Sequence, residues 1–299
     1  MRNISRRRLL TAGIGLPAGA AVAAAAAYGL MEEGVLPGKY RLAELLGACG
    51  APPGPPRGPL PARREETFWS AYRHRDVRIV TLIPAQQAAP LGVVIALHGL
   101  GGSARAAADL YGPAMADAGI STFAVLTMDG GSAYWHQRST GDDPLGMIIH
   151  EVLPRAAARG LATARIGIVG YSMGGYGALL LAESLGRADP AAAAVAAASP
   201  AIFASYQDAR AADPGAFDSQ ANFTRNDVLS RLAALRQVPV WIDCGTSDPF
   251  LAATQLLRAR LRRLTGHEPS GGIDAGCHDA TFWARGAPAE LHFLGQHLA

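Results

Sequence analysis

The pentapeptide Gly170-Tyr171-Ser172-Met173-Gly174 follows directly on the apolar run Arg165-Ile166-Gly167-Ile168-Val169, and a helical pattern continues over residues 173–186. That setting leaves the chain few options. The apolar run predicts a buried strand, and the serine has to sit on the turn into the helix. On so sharp a turn its hydroxyl projects at the rim of the sheet, and the small flanking residues avoid a clash across the turn. The same turn aims the unpaired N–H groups of the following helix at whatever Ser172 attacks.

The rest of the chain alternates strand and helix patterns, which predicts an α/β fold: a mainly parallel central sheet covered by helices on both faces. Residues 68–75 and 77–83 read as opening antiparallel strands, and 91–97, 121–127, 165–169, 193–198 and 238–243 as core strands. Helices are expected over 104–118, 145–159, 173–186, 227–236 and 251–265, and from about residue 280. There are no internal repeats. Ligands of such sheets bind beyond the carboxyl ends of the strands.

An activated serine needs a base, and the base needs an orienting carboxylate. With the chain order serine, acid, histidine, the acid is sought after the strand 238–243, and Asp248 lies past its end in a turn that can reach across the rim. Asp243, at the strand terminus, is the competing carboxylate. The histidine is His278, in the glycine-rich loop Ala275-Gly276-Cys277-His278-Asp279; His267, His292 and His297 fall in helical patterns that suit a solvated surface. The strand 91–97 runs into His98-Gly99-Leu100-Gly101-Gly102-Ser103, so the oxyanion donors are the backbone amides of Leu100 and Met173, with His98 a packed rim residue. The glycine spacing does not fit a phosphate loop. Tyr134 and Trp135 are expected to wall the substrate pocket, with His136 contacting the leaving group, and residues 199–224 read as a lid insertion.

These motifs resemble the esterase D/putative esterase branch of the α/β-hydrolases, which includes the mycobacterial mycolyltransferase antigens and feruloyl-type esterases. The resemblance covers roughly residues 67–299. It rests on Leu97-His98-Gly99-Leu100-Gly101-Gly102, Gly170-Tyr171-Ser172-Met173-Gly174-Gly175-Tyr176-Gly177, Asp248-Pro249-Phe250 and Gly276-Cys277-His278-Asp279. It implies nucleophile Ser172, acid Asp248, base His278 and oxyanion amides at Leu100 and Met173. Mycolyltransferases usually carry glutamate as the acid, and here the position reads aspartate. The expected activity is hydrolysis of small-molecule or lipid carboxylic esters through an acyl-enzyme. The alternatives are an envelope acyltransferase, or a non-catalytic envelope-binding protein on the same scaffold.

Three segments are expected: a leader over 1–31, a proline-rich linker over 32–66 and the catalytic domain over 67–299. Ser5-Arg6-Arg7-Arg8-Leu9-Leu10 resembles a twin-arginine export signal, and the apolar stretch 11–31 that follows is long enough for either a cleaved signal or a membrane anchor. Export to the cell envelope or beyond follows from it. Leu46-Gly47-Ala48-Cys49 imitates a lipoprotein cleavage box, but Arg41 and Glu44 interrupt the apolar segment such a box needs. The formal net charge of +3 includes Arg2, Arg6, Arg7 and Arg8, so the remainder carries −1 and gives no footprint for nucleic acid. There is no Cys/His zinc spacing and no His-Glu-x-x-His run, so no metal or other cofactor is called for. In an oxidising setting, Cys244 in the acid loop and Cys277 beside the base could bridge.

Overall fold

Period-two alternation divides the strand side chains between two separate cores. Val93, Ile95, Leu97, Ile166 and Ile168 point to one face of the sheet, while Val94, Ala96, Val169, Ala194 and Ala196 point to the other. Both sets are buried, so these strands need helices on both sides. The computed structural model describes residues 47, 49–87, 90–186 and 189–298.

The strands are β1 Ala62–Ser70, β2 Arg75–Ile83, β3 Gly92–Leu97, β4 Phe123–Met128, β5 Ala162–Tyr171, β6 Ala191–Ala198, β7 Val240–Ser247 and β8 Ile273–Cys277. They form one sheet in the order β1-β2-β4-β3-β5-β6-β7-β8. β2 pairs antiparallel with β1 and β4, and the other neighbours are parallel. The helices are α1 Ala104–Asp117, α2 Pro144–Met147, α3 Leu153–Ala158, α4 Met173–Leu185, α5 Tyr206–Ala212, α6 Gln220–Asn226, α7 Val228–Arg231, α8 Leu251–Thr265 and α9 Ala280–Leu298. Helices α1 and α9 cover one face; α4 and α8 cover the other. The alanine run of β6 lets α4 and α9 close on its two sides.

Register brings the carboxyl ends of the central strands to one rim. Leu97 stands opposite Gly170, Gly170 opposite Ala197, Ala198 opposite Asp243 and Ser247 opposite Cys277. Residues just past those ends therefore meet, however far apart they are in the chain.

The structure departs from the sequence expectations in five places. β7 runs on to Ser247, four residues past the expected strand end at 243. β1 starts at Ala62, inside the stretch read as linker, and residues 71–74 form a turn. Its first half, Ala-Arg-Arg-Glu-Glu, is an exposed edge whose charges hide the strand pattern and guard the edge against pairing. The helix expected over 145–159 is α2, a π-helical turn Ile148–Val152 and α3. Pro154 has no N–H to give, and Leu153 N–H reaches back five residues to Ile148 O. The helix expected over 227–236 is the short α7 followed by a 3-10 turn, Leu232–Leu235. β8 stands where a glycine-rich loop was expected. The twin-arginine leader, the stretch 11–31 and most of the linker's first half lie outside the described residues. Among the described residues, no helix is long and apolar enough to cross a membrane.

Candidate active site

Ser172 is the single residue between β5 and α4, and it takes φ +57° and ψ −124°. A non-glycine residue there carries on the order of 1–3 kcal/mol of backbone strain. The surroundings enforce it: Ser172 N–H donates to Ala198 O at 2.9 Å, and Ser172 O accepts from Ala201 N–H at 3.0 Å. Two glycines make the turn possible. A Cβ on Gly170 would lie 2.2 Å from Gly174 O, and one on Gly174 would lie 2.0 Å from Leu97 O.

His278 follows β8, and Asp279 behind it accepts from Phe282 N–H at 2.8 Å as α9 begins. Asp248 follows β7, and its Oδ1 accepts from Phe250 N–H at 2.7 Å. That leaves Oδ2 to face His278 Nδ1 at 2.8 Å, while His278 Nε2 lies 2.8 Å from Ser172 Oγ. Buried Asp248 is acceptor-only when ionised, so Nδ1 carries the imidazole proton and Nε2 presents a lone pair to the hydroxyl. Phe250 and Trp283 pack against the imidazole with ring centroids 5.1 Å away in each case. The competing carboxylate does not reach this chain of bonds. Asp243 accepts from Trp241 Nε1 at 3.0 Å and lies beside buried Glu290. Burial pushes the Asp243 carboxyl up to about 6 and Glu290 well above its ordinary value, so the two hold a proton between them.

The loop after β3 is braced from behind. Gly130 N–H donates to His98 Nε2 at 2.9 Å, so His98 carries its proton on Nδ1 and donates to Gly99 O at 2.7 Å. Burial holds this imidazole below its ordinary value, which keeps it neutral. In a trans peptide the N–H points opposite the C=O, so fixing Gly99 O toward His98 turns the Leu100 amide the other way. Trp135, expected in the pocket wall, is instead fully buried and donates from Nε1 to His98 O at 3.2 Å. It fills the space left by Gly130 and Gly177, where a Cβ would lie 2.3 and 2.5 Å from its ring. His136 is also removed from the leaving-group role. It is buried, stacks on Phe217 with centroids 5.0 Å apart, and its ring nitrogens face Gln137 O and Ala216 O. Trp135 is too large and apolar to stay at a wet rim, and His136 finds carbonyl partners for its ring under the segment that folds over it.

Ser172 and His278 open into a cleft of about 450 Å³, walled by Leu100, Tyr134, Tyr171, Phe250, Trp283 and Asp213. Of the residues expected in the pocket only Tyr134 lines the cleft; Leu100, expected as an oxyanion donor, lines it as well, and Met173, the other expected donor, is buried at the start of α4. Pocket roles for Phe250, Trp283 and Asp213 escape sequence reasoning, although Phe250 is the last residue of the Asp248-Pro249-Phe250 motif and Asp213 lies in the segment read as a lid. That segment folds into α5 and α6 around a cluster of Phe203, Phe217 and Phe223 against Tyr134 and Tyr176.

The expected Cys244–Cys277 bridge is absent. Cys277 is bonded to Cys49, and Cys244 is a buried free thiol pushed up to about 12 by burial. Register explains this: Cys244 pairs with Ile273, whereas Cys277 pairs with Ser247, so the two lie three residues or roughly 10 Å apart along the strands. A disulfide needs Cα atoms within about 7 Å. The bond also takes up the cysteine of the lipoprotein-like box.

The sequence profile of the family described as "Putative esterase" matches residues 70–268. Solved structures share the fold. A ferulic acid esterase is 20% identical, with a TM-score of 0.64 over 80% of this chain and 99% of that one. A fluorophosphonate-binding serine hydrolase of Staphylococcus aureus is 18% identical, with a TM-score of 0.64 over 79% and 99%. MPT51 of Mycobacterium tuberculosis is 17% identical, with a TM-score of 0.60 over 83% and 100%. No curated protein matches the chain in sequence. With an eight-stranded, mostly parallel sheet flanked by helices and two thirds of its length under one profile, the chain belongs to the putative esterase family of the α/β-hydrolases.

Proposed function

We propose that the protein is an exported serine esterase that hydrolyses carboxylic esters through an acyl-enzyme. The observation that carries this is the unbroken chain of hydrogen bonds from Ser172 Oγ through His278 to Asp248, opening on a cleft. His278 Nε2 takes the hydroxyl proton as Ser172 Oγ attacks the ester carbonyl carbon, and Asp248 stabilises the imidazolium that forms. The amides of Leu100 and Met173 receive the oxyanion. His278 then returns the proton to the departing alkoxide, and water, activated by the same imidazole, releases the acid. The Cys49–Cys277 bond supports an oxidising compartment, in keeping with the twin-arginine motif at Arg6 and Arg7.

The test is hydrolysis of p-nitrophenyl acetate by the parent, Ser172→Ala and Asp248→Asn. Loss of either should lower kcat by about 10³-fold or more, since triad members act as a unit. Parental turnover in Ser172→Ala would overturn the assignment. Adding an acceptor alcohol separates hydrolysis from acyl transfer: free acid as the main product supports the esterase reading, and a new ester refutes it.

A further inference from the structure

Beyond Ser172 and His278 the cleft lining is mostly apolar and aromatic, and its one acidic side chain among the described residues is Asp213. Asp213, the residue that caps α5, lines the same cleft as the aromatic side chains of Tyr134, Tyr171, Phe250 and Trp283. Its Oδ1 accepts from Gly215 N–H at 2.8 Å, which fixes the side chain, while Oδ2 has no donor among the described residues. No arginine, lysine or histidine of the described residues pairs with it; Arg210, on the same helix, is exposed and makes no ion pair with it. Burial, and then the charge of Asp213, push the Tyr134 hydroxyl above its ordinary value, so the carboxylate is felt inside the cleft.

The turn that carries Asp213 is built, not loose. Arg138 donates to Gly215 O and Ala216 O at 2.9 Å each and pairs with Asp218 at 2.7 Å. Ser139 N–H donates to the other oxygen of Asp218 at 2.6 Å. The loop after β4 thus clamps residues 215–218 on both sides. Three features coincide at one place: a fixed carboxylate, an oxygen without a partner, and aromatic faces around the candidate nucleophile. An anion is repelled there. A sugar or other polyol would need several donors and acceptors, and the wall supplies chiefly ring carbon. An ammonium group satisfies both, through charge with the carboxylate and through attraction to ring faces.

We propose that Asp213 is a specificity-determining residue that selects esters bearing a cationic ammonium group. This rests on the esterase reading above. The reaction is the same hydrolysis; Asp213 takes no part in bond making and sets only which ester is held.

The test compares acetylcholine with its neutral isostere, 3,3-dimethylbutyl acetate, on the parent and on Asp213→Asn. Hydrolysis is followed by acid release, so that no thiol product reaches the Cys49–Cys277 bond. Asparagine keeps the acceptor for Gly215 N–H, so the turn survives. The parent is expected to favour the cationic ester about 10-fold in kcat/KM, mostly through KM, a range ordinary for cation–π and charge attraction at a half-solvated site. In Asp213→Asn the ratio should fall to within about 2-fold of unity, with the larger loss on the cationic ester, and raised salt should lower the parent's ratio. A parental ratio at or below unity, or one that Asp213→Asn leaves intact, overturns the proposal while sparing the esterase. If the parent turns over neither ester nor p-nitrophenyl acetate, the esterase reading itself falls, and the proposal with it.

Discussion

The closest approach in the site is between Gly174 and the end of β3, and Gly174→Ala tests what it does. The new Cβ would lie 2.0 Å from Leu97 O, 2.5 Å from Leu97 C and 2.7 Å from His98 O. All three are backbone atoms, so no side chain can swing aside. Relief even to a tight 3.0 Å contact requires about 1 Å of separation between α4 and β3. Those two elements each carry one of the two proposed oxyanion donors, Met173 on α4 and Leu100 beyond β3. Their spacing would open by the same amount. A misplacement of about 1 Å costs on the order of 100-fold in rate, and overpacking costs about 1–3 kcal/mol of stability. The variant should therefore lose about 100-fold in kcat/KM on p-nitrophenyl acetate and roughly 3–10 °C in thermal midpoint while keeping its circular dichroism spectrum. The control is Gly112→Ala in α1, whose Cβ would meet nothing nearer than 3.9 Å. That change should leave activity alone; the helix-propensity gain is offset by Pro113, which disfavours a side chain in helical conformation just before it. Parental kcat/KM in Gly174→Ala would refute the idea that this contact sets the donor geometry.

Breaking the Cys49–Cys277 bond, 228 residues apart, should cost up to about 5 kcal/mol by loop entropy, less whatever freedom the released segment gains in the folded state. Because Cys277 precedes His278, kcat/KM should also fall; Cys49→Ser should match the reduced parent in thermal midpoint and rate, and a variant that still responds to reductant would contradict this. Glu183, buried in α4 with Arg231 3.6 Å away, is pushed up to about 9, chiefly by burial. Its folded-state value lies above the ordinary 4.5, so its contribution is fully present below pH 4.5 and is lost as pH rises toward 9. At pH 7 the accumulated loss is about 3 kcal/mol. Glu183→Gln should therefore match the parent near pH 4.5 and exceed its thermal midpoint at pH 8; parallel pH profiles would sink the argument.

Much of the site is legible in the sequence because it sits where regular structure ends. Ser172 and the loop from His98 to Ser103 each follow an apolar run, and Asp248 follows the strand pattern at 238–243; backbone geometry at a strand end does the pointing. Asp243 competes with Asp248 in the sequence because the strand pattern ends at residue 243; β7 runs on to Ser247, which leaves Asp243 inside the strand and Asp248 just past its end. His278 lies beside Ser172 as expected from the loop motif, although β8 is not legible: Ile273–Cys277 is short, glycine-bearing and partly exposed, so it lacks an alternating signal. Trp135 and His136 mislead because aromatic residues after a core strand fit a pocket wall and a buried brace equally well. Asp213 and the partner of Cys277 depend on how irregular segments travel across the surface, and no periodicity records that path.

The central claim is that Ser172 is made nucleophilic by its bond to His278 Nε2. Its most direct test is labelling of the folded protein with a fluorophosphonate, followed by mapping of the modified peptide. One adduct per chain, on Ser172, abolished by His278→Ala, is the predicted result. An unlabelled protein, an adduct on another residue, or undiminished labelling of Ser172 in His278→Ala would contradict the account.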